Sequence, residues 1–219
     1  MIKAILFDLD GLLIDSEVIS FEIYRDIVSR YGYEFSKDEY AQNYSGKAEI
    51  INVRKLIQEY HLPITLEEGL HMVASLEKKL LEKGVELKSG AKEVLAYLKT
   101  NHYKIAIASS STKERAMRIL KQHEILAYFD AFVFGHEVEN GKPYPDIFLK
   151  AIQKLSENPE DCLILEDSEA GIQAGYSANI PVICIPDMKQ PSEEYRRKTV
   201  AVLESLEDVI AYVEERKRI

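Results

Sequence analysis

The sequence predicts an α/β protein: a parallel sheet with helices on both faces, into which one all-helical segment is inserted. Two observations predict this fold. In most of the chain, short runs that are apolar throughout alternate with helical patterns, which is typical of strands buried on both faces of a sheet. Between residues 16 and 83, apolar residues recur only at helical spacing, and no strand-like run interrupts them.

The first predicted strand covers residues 2–7 and is followed by a turn signal at Gly11. The helical segment comes next. One of its helices is indicated by apolar residues spaced i, i+3, i+4 and i+7, which are Tyr24, Ile27, Val28 and Tyr31. We therefore expect a helical domain over residues 16–83 and an α/β core over residues 1–15 and 84–219.

The remainder of the core is predicted to alternate between helix and strand. It begins with a helical stripe over residues 91–98. The predicted strands that follow cover residues 104–108, 131–134, 162–165 and 182–185. The predicted helices between and after these strands cover residues 112–123, 145–155, 168–178 and 206–213.

The composition is that of an acidic globular protein of 219 residues and 25.1 kDa, with a formal net charge of -9 and a pI near 5.2. An acidic chain without a clustered basic face is not expected to bind nucleic acid. No stretch approaches the ~20 apolar residues of a membrane span, and the chain enters a core strand at once, so we expect neither a membrane partner nor a signal peptide. We expect the protein to be a monomer.

The two cysteines, Cys162 and Cys184, both fall inside apolar strand-like runs. This position favours buried, reduced thiols. Reduced cysteines in turn predict a cytoplasmic location.

Chemically active side chains follow four of the predicted strands, at the point where each strand ends. Ligands of open α/β sheets bind outside these carboxyl ends. Each motif has an ordinary structural explanation when it stands alone, such as a helix cap or a solvated turn. Their coincidence at four strand ends favours a site, and its members are Asp8, Asp10, Ser109, Ser110, Lys142, Glu166 and Asp167.

These motifs resemble the haloacid dehalogenase superfamily of phosphohydrolases over essentially the whole chain. The resemblance rests on Asp8-Leu-Asp10-Gly, the strand-end Ser109, Lys142 in Gly-Lys-Pro, and Glu166-Asp167-Ser-Glu-Ala-Gly171. The longer strings Phe-Asp-Leu-Asp-Gly-Leu-Leu-Ile-Asp-Ser-Glu and Gly-Lys-Pro-Tyr-Pro-Asp resemble its β-phosphoglucomutase-like branch. The resemblance implies a Rossmann-like core and a small helical cap domain.

The resemblance also implies a mechanism that depends on Mg²⁺. Asp8 is the implied nucleophile and metal ligand, which forms an aspartyl phosphate. Asp10 is implied to bind the metal through its backbone carbonyl, while its side chain protonates the leaving alcohol and later deprotonates water. A cation is needed because two anions about 4 Å apart repel by roughly 4 kcal/mol at an effective dielectric near 20.

The other strand-end residues take supporting roles in the same pattern. Asp167 is the second implied carboxylate ligand, with Glu166 beside it or acting through water. Ser109 and Lys142 are implied to hold the transferring phosphoryl oxygens, and Ser110 is a candidate substrate contact. Within the helical segment, candidate substrate contacts lie in a Tyr-Ser-Gly-Lys loop and are Ser45, Gly46 and Lys47, although Lys47 is equally explained as a solvated surface residue.

The leading hypothesis is a Mg²⁺-dependent phosphatase of small sugar or nucleoside-type phosphates. A phosphosugar mutase is the alternative, but mutases carry a histidine and an arginine at the positions that align with Ser20 and Glu49 here. A phospho-acceptor signalling domain is a remote alternative, since it needs no helical insertion and its acceptor lies on a later strand. The partner expected is a small phosphorylated metabolite.

Overall fold

The computed structural model describes residues 2–47 and 49–217. The chain divides into two compact units, of which the larger comprises Met1–Ile14 and Leu87–Ile219 and the smaller comprises Asp15–Glu86. In chain order the elements are β1 (Ala4–Phe7), α1 (Ser16–Ser29), α2 (Lys37–Asn43), α3 (Glu49–Glu59), α4 (Leu66–Lys83), α5 (Ala91–Thr100), β2 (Lys104–Ser109), α6 (Lys113–Gln122), β3 (Ala131–Phe134), α7 (Asp146–Leu155), β4 (Cys162–Glu166), α8 (Glu169–Ser177), β5 (Val182–Cys184), α9 (Glu193–Arg196), β6 (Ala201–Val202) and α10 (Asp208–Lys217).

The larger unit is built on a six-stranded parallel sheet with the order β3-β2-β1-β4-β5-β6. The strand β1 is central, because Leu6 pairs with Ala106 on one side and with Ile164 on the other. The carboxyl ends of β1, β2 and β4 therefore lie next to one another at one edge of the sheet. This topology places the predicted strand-end residues side by side.

Both faces of the sheet are buried. On one face, Leu6 and Ile164 share a core with Phe148 of α7 and Ile172 of α8. The residues that point the opposite way are equally inaccessible to solvent, and they include Ile5, Phe7, Ile105 and Ile107. The helix α5 contacts β2, and α10 packs on α5. The predicted parallel α/β fold is confirmed.

Two short elements were not predicted from the sequence. The edge strand β6 has two residues, which are only partly buried, and α9 has four. Elements this short carry too few apolar positions to display a period. In the larger unit the predicted strands otherwise agree with the structure to within two residues at each end.

The smaller unit consists of α1 to α4, and α4 contacts both α1 and α3. Two of its helices begin at side-chain caps, Ser36 before α2 and Thr65 before α4, where Glu68 completes a capping box. Its core is rich in aromatic rings; Phe35 and Tyr44, for example, meet edge to face at 5.2 Å. The predicted helical segment, residues 16–83, falls inside this unit.

The environment of the two cysteines agrees with the prediction made for them from the sequence. Cys162 and Cys184 are buried and free, as predicted, and burial raises the pKa of each thiol to about 12. Neither thiol is therefore a reactive thiolate.

Within residues 2–47 and 49–217, every helix is too short or too polar to cross a membrane.

Candidate active site

The first part of the site is an ion pair at the end of β1. Asp8 follows the strand directly, is 7% exposed, and its amide still donates to the carbonyl of Leu165 at 3.1 Å. The Nζ atom of Lys142 lies 2.6 Å from Oδ1 of Asp8 and also donates to Oε1 of Glu166. The loop after β3 thus delivers a buried ammonium group between two carboxylates.

Glu166 ends β4, and the structure saturates its carboxylate with hydrogen bonds. Its Oε2 atom accepts from the amides of Asp167 and Ser168, each at 3.0 Å, and from the Ser168 hydroxyl at 3.0 Å. Its Oε1 atom accepts from Lys142. Because both oxygens already have donors, Glu166 is placed to orient Lys142 and the loop after β4.

A glycine makes room for this arrangement. A Cβ atom at Gly171, in the first turn of α8, would lie 1.8 Å from Oε1 of Glu166, which no real contact permits. Gly171 therefore allows the first turn of α8 to pack directly against the Glu166 carboxylate. Gly11 has a similar role at β1, where its φ is +81° and an added Cβ would lie 2.3 Å from Oδ2 of Asp167.

Three carboxylates converge beside the lysine. Asp8, Glu166 and Asp167 each offer one ligand oxygen, and these oxygens all lie within 4.8 Å of one another. Two of the three, Asp8 and Glu166, share the single ammonium group of Lys142, so the cluster is rich in negative charge. A hard divalent cation that prefers oxygen ligands fits this donor set and this charge.

The pKa shifts of Asp8 and Lys142 reflect the same concentration of negative charge. Burial raises the pKa of Asp8 to about 7; Lys142 opposes the shift, and Glu166 and Asp10 reinforce it. Burial lowers the pKa of Lys142, but Asp8 and Glu166 outweigh that effect and raise it. Without a further cation, burial and the neighbouring carboxylates disfavour the ionised form of Asp8.

Asp10 is held in a separate hydrogen-bond network. Its Oδ1 atom lies 2.7 Å from the Arg115 guanidinium, and its Oδ2 atom accepts from the Ser111 hydroxyl at 2.6 Å. Ser111 in turn donates its amide to Oγ of Ser109 at 3.0 Å, and Ser109 is 1% exposed. The carboxyl end of β2 and the start of α6 thus hold the Asp10 carboxylate.

Sequence reasoning missed Arg115 and the role of Ser111. Ser111 lies in the Ser-rich run between β2 and α6, and Arg115 is four residues further along, in the first turn of α6. That i, i+4 spacing is the signal that points to a pair, and Arg115 does donate to Oγ of Ser111 at 2.6 Å.

The remaining predicted residues do not make contacts of this kind. Ser110 is exposed at the end of β2. Gly46 and Lys47 belong to the smaller unit, where Gly46 has a φ of +72° and open space around it. Lys47 is exposed, and its Nζ atom donates to the carbonyl of Asn43 at 2.7 Å.

The sequence is similar to those of known proteins. The sequence model of the family described as haloacid dehalogenase-like hydrolase matches residues 5–185. A phosphorylated carbohydrates phosphatase of Thermotoga maritima is 32% identical over 178 residues, which are 81% of this chain and 82% of the relative. A probable pseudouridine-5'-phosphatase of Drosophila melanogaster is 33% identical over 208 residues, which are 92% of this chain and 89% of the relative.

A solved structure is similar to this chain over nearly its whole length. A putative β-phosphoglucomutase from Thermotoga maritima superposes with a TM-score of 0.83 at 28% identity, covering 98% of this chain and 99% of the other. The similarity therefore extends over both units and is not confined to the strand-end motifs. The predicted resemblance and the prediction of a hydrolytic enzyme are confirmed: the chain belongs to the haloacid dehalogenase-like hydrolase family.

Proposed function

We propose that this protein is a Mg²⁺-dependent phosphatase that hydrolyses small sugar or nucleoside-type phosphate monoesters through an aspartyl phosphate on Asp8. The observation that carries the proposal is a buried Asp8 carboxylate beside a buried ammonium group and two further carboxylates. The relatives named as phosphatases support it.

The residues at the strand ends fit the metal. Asp8 and Asp167 would hold Mg²⁺ by their carboxylates and Asp10 by its backbone carbonyl, with Glu166 acting through water because its oxygens are already engaged. The bound ion would offset the negative charge that gathers when a phosphate dianion meets Asp8. Lys142 and Ser109 would bind the phosphoryl oxygens.

The first half of the reaction transfers the phosphoryl group to the protein. A carboxylate oxygen of Asp8 attacks phosphorus, and the bond between phosphorus and the substrate's bridging oxygen breaks. The Asp10 carboxyl gives its proton to that oxygen, so the leaving group departs as an alcohol. Asp10 is two residues after Asp8 and on the same strand end, which suits this division of roles.

The second half restores the enzyme. The Asp10 carboxylate, now ionised, removes a proton from water, and the water oxygen attacks phosphorus. The bond between phosphorus and Asp8 breaks, and inorganic phosphate leaves. The contacts with Arg115 and Ser111 hold the Asp10 carboxylate in place for this step.

The proposal extends to the residues that contact the substrate and to the cellular location of the enzyme. The helical unit would contribute substrate contacts, with Gly46 and Lys47 as candidates because the open loop lets a ligand approach the backbone. We further propose that the enzyme works as a cytoplasmic monomer. The buried free thiols of Cys162 and Cys184 support a reducing compartment.

The test is a phosphate-release screen over a panel of phosphorylated metabolites, run with Mg²⁺, with EDTA and with Ca²⁺. We expect release only with Mg²⁺, loss in EDTA that added Mg²⁺ reverses, and inhibition by Ca²⁺, which takes more ligands at longer range. Full activity in EDTA would contradict the metal roles of Asp8 and Asp167.

A phosphosugar mutase is the second candidate, because a similar solved structure is named a putative β-phosphoglucomutase. Against it, Ser20 and Glu49 stand where mutases carry a histidine and an arginine. Conversion of glucose 1-phosphate to glucose 6-phosphate, primed by a bisphosphate, would favour the mutase.

A further inference from the structure

The loop that carries Lys142 joins β3 to α7 and covers residues 135–145. All of these residues are described, and the one regular element among them is a short helical turn, Gly135–Glu137. The Lys142 side chain is nevertheless only 7% exposed, and its Nζ atom lies 2.6 Å from Oδ1 of Asp8. The buried position of this ammonium group therefore depends on contacts that fix the loop.

Glu137 attaches the first part of the loop to its neighbours. Its Oε1 atom accepts from the amide of Phe134, the last residue of β3, at 3.0 Å. Its Oε2 atom accepts from Nζ of Lys154 on α7 at 2.8 Å. Its backbone carbonyl accepts from Nζ of Lys150 on the same helix. We call the contacts of Glu137 with Lys150 and Lys154 the Glu137 clip.

The Glu137 clip ties the loop to a helix that is anchored in the core. Lys150 and Lys154 are four residues apart, so they lie on one face of α7. Lys154 also donates to the carbonyl of Phe132 in β3 at 2.6 Å. Among the described strands, β3 has a neighbour on one side only, so this lysine adds a contact to an edge strand. On the core side of α7, Phe148 is fully buried.

The later part of the loop is tied to α7 as well. Oδ1 of Asp146, the first residue of α7, accepts from the amide of Asn140 at 3.3 Å and from its Nδ2 atom at 3.2 Å. The ammonium group of Lys142 lies 5.1 Å from the centroid of the Phe148 ring. The helix α7 is therefore the support to which this loop is attached.

The charges of the Glu137 clip favour a local role. Burial raises the pKa of Glu137, but the hydrogen bonds from Lys154 and from the Phe134 amide outweigh burial and lower it. The Glu137 and Lys154 side chains are 24% and 37% exposed. Ion pairs exposed to this extent contribute little to the stability of the whole fold. We therefore expect loss of the clip to change the placement of the loop more than the stability of the protein.

We propose that Glu137 is a positioning residue, whose clip to α7 holds the ammonium group of Lys142 beside Asp8. The inference rests on the proposed phosphatase function, in which Lys142 binds the phosphoryl oxygens. Catalytic groups need accurate placement, since a displacement of about 1 Å can cost on the order of 10²-fold in rate. A loop with little regular structure reaches that accuracy only when it is tied to rigid elements.

The first experiment reports the position of Lys142 without relying on activity. The protein is treated briefly with acetic anhydride, and acetylation at Lys142 is followed by mass spectrometry. In the wild type we expect slow reaction, because the amine is buried and paired with carboxylates. In Glu137→Ala and in Lys154→Met the reaction should be about fivefold faster or more, since a loosened loop opens more often.

Two further variants serve as controls for the Glu137 clip. Lys99→Met breaks another partly exposed ion pair, with Asp130 directly before β3 at 2.7 Å, and should leave the acetylation of Lys142 unchanged. Lys154→Arg keeps the charge and a donor, so it should retain most of the protection. Unchanged acetylation of Lys142 in both clip variants, or equally fast acetylation in Lys99→Met, would overturn the proposal.

The second experiment measures the consequence for phosphate binding. Inorganic phosphate is used as a competitive inhibitor of p-nitrophenyl phosphate hydrolysis with Mg²⁺. Glu137→Ala should raise its inhibition constant about threefold or more, because a displaced ammonium group makes a weaker charged hydrogen bond. Lys99→Met should not change it. Faster acetylation of Lys142 with an unchanged inhibition constant would overturn the proposal.

The design separates failure of this inference from failure of the proposed function. If Glu137→Ala does not fold, Lys154→Met decides both experiments, since its side chain is partly exposed on α7. Absence of p-nitrophenyl phosphate hydrolysis by the wild type with Mg²⁺ would overturn the phosphatase function itself. The acetylation experiment would still show whether Glu137 positions Lys142.

Discussion

Two acid-rich regions of this molecule differ in how their charge is compensated. At the strand ends, the carboxylates of Asp8 and Glu166 share the buried ammonium group of Lys142. In the helical unit, a small polar cavity is lined by Glu17, Glu49 and Glu77 from different helices, and Glu17 accepts a hydrogen bond from the Tyr40 hydroxyl at 2.9 Å. The buried ammonium group at the strand ends is the feature on which the proposed phosphoryl binding depends. The feature that distinguishes the strand-end region is its buried cation, Lys142.

The two regions also differ in how closely the backbone packs. Gly171 and Gly11 have no room for a Cβ atom, since Glu166 and Asp167 lie directly against them. Gly46, in a loop of the helical unit, has nothing within 4 Å of that position. At the strand ends the backbone therefore packs directly against the carboxylates, whereas the loop at Gly46 is open.

The largest effect is expected for Asp8→Asn. The substitution removes the proposed nucleophile and one anionic ligand while it preserves volume, so turnover should fall by roughly 10⁴-fold or more. Phosphate release by the purified variant gives the measurement, and circular dichroism verifies the fold. Substantial residual phosphate release from a folded variant would show that Asp8 is not the nucleophile.

Asp10→Asn tests the acid and base role with two kinds of substrate. Hydrolysis of alkyl phosphates should slow by about 10²–10⁴-fold, because an alkoxide leaving group needs a proton. Aryl phosphates, whose leaving groups are stable anions, should be affected much less in the first half-reaction. Burst kinetics separate the two halves. Equal losses on both substrates in the phosphorylation step would show that Asp10 is not the acid.

Much of the strand-end site could be predicted from the sequence, because parallel strands end at a common edge. Asp8 follows β1 and Glu166 ends β4, so β-sheet pairing alone places them together. The saturation of Glu166 could not be predicted, since it depends on Lys142, which is 24 residues away, and on the turn at Ser168. Arg115 was missed because an arginine on a helix is usually a solvated surface residue.

The small polar cavity of the helical unit was much harder to predict. Ser20 and Glu49 were singled out as departures from a mutase pattern, but nothing in the sequence places them in one cavity with Asn52 and Glu77. These residues lie on three helices, and helical periodicity gives the buried face of each helix without the packing between helices. The buried hydrogen bond from Nδ2 of Asn52 to the carbonyl of Tyr44, at 2.8 Å, likewise depends on packing that the sequence does not display.

Gly171→Ala tests whether close packing holds the strand-end site. The new methyl group would displace the Glu166 carboxylate, so we expect the free energy of unfolding to fall by about 2–3 kcal/mol, with a loss of activity. Gly141→Ala is the control, since its added Cβ meets nothing within 4 Å, and it should change stability by less than about 0.5 kcal/mol. Denaturant melts of both variants provide the comparison, and equal stability of the two would argue against the packing role.

The smallest effect is expected for Lys47→Ala in the helical unit. If Lys47 contacts the part of the substrate that distinguishes one metabolite from another, kcat/KM for the preferred metabolite should fall about tenfold, or ~1.4 kcal/mol, while a generic aryl phosphate is little affected. Lys37→Ala removes another exposed lysine of this unit and should change neither substrate. Lys47→Gln keeps a donor for the carbonyl of Asn43 and separates loss of charge from loss of the loop contact. A parallel fall on both substrates would assign Lys47 to the structure of its loop, and no change on either would leave it a solvated surface residue.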